Sequence, residues 1–177
     1  MLKVLGWTIV VLVFAVGTVV AYAATKPDSF RVARSLTIGA PPEQLFPLIN
    51  DLRAFNRWNP FERKDPGQGI HSGAPEGIGA SFAWESAKTG KGSMTIVESS
   101  APSTVVMRLD FLKPFAAQNK GTFTIIPRDG GSEVTWAMDG QAPLMTKIMD
   151  VVVGMDRLVG ADFAEGLRNL KEIAEKP

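Results

Sequence analysis

Very few residues in this chain have the type and spacing to do chemistry. The single histidine, His71, lies in the turn-rich GIHSGAPEG, where a lone histidine is more often a surface residue than a ligand or base. Its neighbour Ser72 makes no nucleophile–base pair with it, because adjacent loop residues do not hold that geometry by spacing alone. Cysteine is absent, which excludes disulfides, zinc–thiolate sites and thiol nucleophiles. No metal-ligand spacing occurs, and the only tyrosine, Tyr22, falls in an apolar run. The sequence therefore names no catalytic residue, no metal ligand and no cofactor. Two charges stand out by position. Arg34 falls on the apolar side of an alternating segment, and Glu98 shares parity with Met94 and Ile96. Opposite charges on one apolar face are expected to pair, because an unpaired buried charge is very costly. The alternative is a strand bulge that lets both reach water.

The bulk numbers narrow the function classes. The chain has 177 residues, enough for one ordinary domain. With 19 Lys+Arg against 18 Asp+Glu, the net charge is +1, which argues against a nucleic-acid partner. Hydrophobic residues make up 45%, enough for a real core. Val4 to Thr25 carries no charge at all. As a helix this run is about 33 Å long, enough to cross a hydrocarbon core of about 30 Å. Trp7 and Tyr22 lie near its two ends, where amphipathic rings favour the headgroup layer. The rival reading is a cleaved signal peptide ending at the small-x-small AYA of Ala21–Ala23. The length of the run favours a retained single-pass anchor. Lys3 on one side and Lys26, Arg31 and Arg34 on the other nearly balance, so orientation rests on the signal-like start, which prefers a periplasmic domain.

The remaining elements follow from periodicity and punctuation. Phe30–Ile38 alternates as a half-buried strand. Pro41 and Pro42 open a short helix carrying Leu45, Phe46, Leu48 and Ile49. Leu52, Phe55 and Trp58 share one side of a second short helix, which Pro60 is expected to stop. A meander of strands punctuated by turns such as GQG, SGAPEG and RDGG then runs to Gly140. Strands joined by short turns make an antiparallel sheet with one dry and one wet face. Apolar residues from Met145 to Ile173 recur at steps of three or four, one long helical stripe interrupted by Gly154, Gly160 and Gly166. Those glycines imply a bend or a close approach to another group.

With this order of elements the chain resembles the SRPBCC superfamily (START-like, polyketide cyclase/dehydrase-type), and in particular its membrane-anchored bacterial branch. The likeness is carried by SLTIGAPPEQLFPLINDLRAFNRWNPF, GKGSMTIVES, LDFLKPFAAQNKGTFTI, EVTWAMDG and DFAEGLRNLKEIAE, which together cover nearly all of the chain after residue 30. The resemblance implies an α+β helix-grip fold: a curved antiparallel sheet wrapped around the long C-terminal helix, with an apolar cavity between them. Residues 1–28 are then a transmembrane anchor and linker, placed in the bacterial inner membrane, and residues 29–177 the START-like domain.

The expected cavity lining follows from the dry face. Phe82, Trp84, Met94, Met107, Leu109, Trp136 and Met138 come from the strands. Met149, Val152 and Met155 come from the long helix, and Trp58 and Phe61 from the mouth, although plain packing is the default for large aromatics. Arg34 and Glu98 would pair at the cavity end or rim. The expected function is a membrane-tethered binder of a hydrophobic small molecule or lipid. The alternatives are a polyketide cyclase or dehydratase, which needs acid/base groups inside the cavity and for which Arg34 and Glu98 are the only candidates in the sequence, and an interaction module like the START-like co-chaperones.

Overall fold

The computed structural model describes residues 2–66 and 69–176, and the turn read at GQG lies partly outside them. Helix α1 spans Leu2–Ala24. Its segment Gly6–Ala24 has the length and hydropathy of a membrane span or a signal sequence. A short linker leads into β1 (Ser29–Ile38), where alternation sets one face toward the core. Two short helices follow, α2 (Pro42–Asn50) and α3 (Leu52–Asn56). Asp51 separates them, and its side chain accepts the Arg53 N–H at 2.8 Å, capping α3. Pro60 does not simply stop a helix, as the sequence suggests; it starts another. In α4 (Pro60–Lys64) proline fills the first turn, where its missing N–H costs nothing, and Asn59 accepts the Phe61 N–H at 3.2 Å.

Six more strands complete one antiparallel sheet. They are β2 (Ile70–Gly73), β3 (Ala80–Ser86), β4 (Gly90–Ser100), β5 (Thr104–Lys113), β6 (Ala117–Arg128) and β7 (Gly131–Gln141). β2 includes His71, read as loop from sequence; four residues are too few for alternation to declare a strand. The sheet order is β1-β7-β6-β5-β4-β3-β2. From β2 to β7 consecutive strands pair as hairpins, and β1 pairs with β7, the last strand. The registers gather four features at one end of the sheet: the start of β1, the end of β7, the β3–β4 turn and the β5–β6 turn. This is also the end that joins α1.

The tail is two helices rather than one. α5 (Leu144–Val152) and α6 (Met155–Ala174) are separated at Gly154, whose φ of 87° is open to glycine and strained for other residues. α6 lies over the dry face and buries Phe163, Leu167 and Leu170 against it. Close approach is literal at Gly166, where an added Cβ would meet the Trp136 ring at 2.6 Å.

Candidate functional site

The core is solid at one end of α6 and hollow at the other. The solid part centres on Trp58, which is fully buried. Its Nε1 donates to the Leu48 carbonyl at 2.8 Å, and its own carbonyl accepts from Asn169 Nδ2 at 3.0 Å. Phe55 meets its ring edge-on at 4.7 Å, and Trp136 does so at 5.8 Å. Trp136 stacks on Phe163 with centroids 4.3 Å apart and planes 11° from parallel. These rings prop α6 away from the sheet. Beyond them lies a cavity of about 320 Å³, at the small end of the range for ligand pockets.

The cavity floor is Phe55, Phe123, Trp136 and Phe163. Its walls are Phe82, Trp84, Met94, Met107, Leu109, Phe111 and Met138, with Gly121 leaving a notch in β6. Phe61, Glu62, Lys88, Thr89 and Val159 line the outer part, with Asn59 the remaining polar lining residue. Lys88 is exposed and Phe61, Glu62, Thr89 and Val159 are half-buried, so the mouth lies between α4, the β3–β4 turn and the start of α6. Lys64 ties α4 to α6 beside it, bonding Asp162 at 2.5 Å and Glu165 at 2.9 Å. Those hydrogen bonds, Asp162 first, hold the Lys64 ammonium above its ordinary pKa.

Eight of the residues expected to line a cavity surround this one: Phe61, Phe82, Trp84, Met94, Met107, Leu109, Trp136 and Met138. Trp58 sits behind the floor, not at the mouth. Met149 and Val152 project from α5 away from the cavity, 37% and 67% exposed, and Met155 packs on the core edge outside the cavity. The cause is Gly154: a stripe continuous in sequence changes direction where the backbone turns. Phe55, Phe111, Phe123, Val159 and Phe163 also line the cavity without having been singled out. Phe111 continues the parity of Met107 and Leu109, Phe123 shares the parity of Ile125, and Val159 and Phe163 lie on the helical stripe, so the signal was present. Nothing in the pattern marks Asn59, Glu62, Lys88 or Thr89, which are turn and helix-end positions.

The expected Arg34–Glu98 pair does not form. Arg34 makes a two-pronged bond with Asp156 of α6, both arms at 2.7 Å, which holds the Asp156 carboxyl below the usual carboxylate range. An added Cβ at Gly160 would overlap that guanidinium, so the glycine makes room for the arginine. Glu98 lies on β4, with three strands between it and β1. The β4–β5 register slips between Ile96 and Glu98, and this bulge turns Glu98 to solvent. Neither residue lines the cavity. His71 stands opposite the wall residue Phe82 in the β2–β3 register, its ring 4.7 Å from that of Phe82. Burial, and then the Arg53 charge, lower its pKa.

Chemically, the deep wall offers dispersion and aromatic faces and no ionisable group. Among the described residues no cluster of His, Asp or Glu could hold a metal ion. The site fits an apolar body, with polar groups confined to Asn59 and the mouth.

Known proteins share this architecture. A protein from Thermobifida fusca superposes with a TM-score of 0.59 at 21% identity, covering 81% of this chain and 92% of its own. One from Chromobacterium violaceum gives 0.58 at 17% identity, covering 85% and 100%. The di-domain aromatase/cyclase StfQ of the steffimycin biosynthetic pathway gives 0.63 at 14% identity; the match covers 83% of this chain and 51% of StfQ. At these identities the likeness carries the fold alone. No curated protein matches the chain in sequence. A sheet gripping a helix over an apolar hollow meets a sequence match at residues 29–175, and the chain belongs to the family described as polyketide cyclase/dehydrase and lipid transport, within the SRPBCC superfamily.

Proposed function

We propose that this chain is a membrane-tethered binding protein for a hydrophobic small molecule or lipid. Residues 1–28 serve as single-pass anchor and linker, and residues 29–177 as the binding domain, on the periplasmic side. The observation that carries the reading is the cavity of about 320 Å³ with an apolar inner wall and a polar mouth. Such a shape accepts a ligand tail-first, with its polar end at Lys88 and Thr89. Burying apolar ligand surface contributes about 25 cal/mol per Å² before ordering costs. The family's description supports a lipid-like cargo.

The same description also favours a second reading, a cyclase or dehydratase. Its acid/base groups would be Glu62 and Lys88, because Arg34 and Glu98 do not line the cavity. Gly121 supplies the test. A Cβ there would sit in ordinary contact, 3.5 Å from Leu109 Cδ1, and anything larger projects into the hollow. Full-length wild type and Gly121→Phe are purified from the same membranes, extracted with solvent and compared by mass spectrometry. A stoichiometric apolar compound present in wild type and lost in the variant is expected. Identical extracts from two folded proteins would sink the carrier reading.

A further inference from the structure

Helix α5 is built inside out. A helix on a water-exposed domain turns its apolar stripe inward and its charges outward. In α5 the charges face in. Lys147 is 8% exposed and donates to Asp28 of the linker at 2.6 Å, and Asp150 accepts from Lys26 at 3.0 Å. The outward face carries Leu144, Met145, Met149 and Val152, all exposed. At the same end of the sheet, the β5–β6 tip exposes Leu112 and Phe115 beside Lys113. Large apolar side chains exposed together at one end of a molecule point to an interaction site.

What covers it follows from what it adjoins. α5 packs against α1, and Ala23 at the foot of α1 is fully buried. The linker Thr25–Asp28 reaches at most about 14 Å when extended, so α5 lies close to wherever α1 enters an apolar phase. Lysine beside exposed aromatic and aliphatic side chains suits the boundary between headgroups and acyl chains. We propose that the outward face of α5 and the β5–β6 tip seat in the surface of the bilayer that α1 crosses, which holds the cavity mouth close to the lipid. The proposal rests on the anchor reading above and names the bilayer as the source of the ligand.

The cysteine-free chain allows single labels. Phe115→Cys, Val152→Cys, Phe14→Cys and Asp129→Cys in the full chain carry one fluorophore each, in phosphatidylcholine vesicles containing acyl-brominated phosphatidylcholine. Labels at 115 and 152 should lose fluorescence to the brominated lipid as the label at 14 does, while that at 129, at the far end of the sheet, keeps it. Quenching at 14 alone would overturn the seating and leave the anchor standing. No quenching at 14 would overturn both. Labels at 115 and 152 shielded from aqueous iodide only at high protein-to-lipid ratio would assign the surface to a second copy and overturn the proposal. None of these outcomes alters the extraction result, so cavity and seating fail separately.

Discussion

Helices α5 and α6 come from one stretch of apolar periodicity, yet they treat their apolar residues in opposite ways. α6 buries Phe163, Leu167 and Leu170 against the sheet and turns Arg157, Arg168 and Glu172 outward. α5 buries Lys147 and exposes Met145, Met149 and Val152. Periodicity reports that a helix has two unlike faces; it does not report which one meets water. The difference is made at Gly154, where the backbone turns, and by the linker carboxylate and ammonium that receive the charges of α5.

The contrast breaks most visibly under truncation. Leu167→Ala should cost about 2–5 kcal/mol, because it empties a packed site. Met149→Ala should stay within about 0.5 kcal/mol, because its side chain leaves no cavity. Urea denaturation of the full chain in micelles, followed by tryptophan fluorescence, measures both; equal losses would place the two helices in one core. Next comes the joint itself. Gly154→Ala forces a Cβ onto a backbone of φ 87° and should cost about 1–3 kcal/mol. An unchanged unfolding midpoint would mean that the two helices can straighten into one.

The smallest effect is in acid. Hydrogen bonding from Lys147 holds the Asp28 carboxyl below the usual range. The Met155 N–H, and then Lys26, do the same for Asp150. Both pKa values are lowered on folding, so their contribution is complete above the unfolded value of about 3.9 and is lost as pH falls through the folded values. Amide protection in α5, corrected for intrinsic exchange, should hold from neutral pH to about 5 and fall only below about 4, ahead of α6. Loss of α5 protection near pH 6 would show that other groups hold it.

Much of this layout is legible in the sequence where a short-range rule suffices. Alternation assigns Met94, Met107, Leu109, Trp136 and Met138 to the dry face, because strand side chains change sides at every residue. The same rule misassigns Glu98, because a bulge shifts parity by one without a marker in the residue types. Arg34 looks misplaced until Asp156 is brought to it from the far end of the chain, a partnership no local pattern encodes. The aromatic stretch near Trp58 divides in space: Trp58 locks the solid core through its indole N–H, while Phe55 and Phe61 reach the hollow. Their shared sequence neighbourhood cannot separate those roles, because a turn of helix and Pro60 send the rings in different directions.

The junction between α1 and the domain has a mechanical side. A long flexible leash would let the folded part tumble freely and point its opening anywhere. Here Lys26 grips Asp150 and Asp28 grips Lys147 across only a few residues of chain. The first helix and α5 are thereby coupled: turning or tilting the first helix would carry α5 with it, and a few inserted glycines between Lys26 and Ser29 would disengage the two without touching either part.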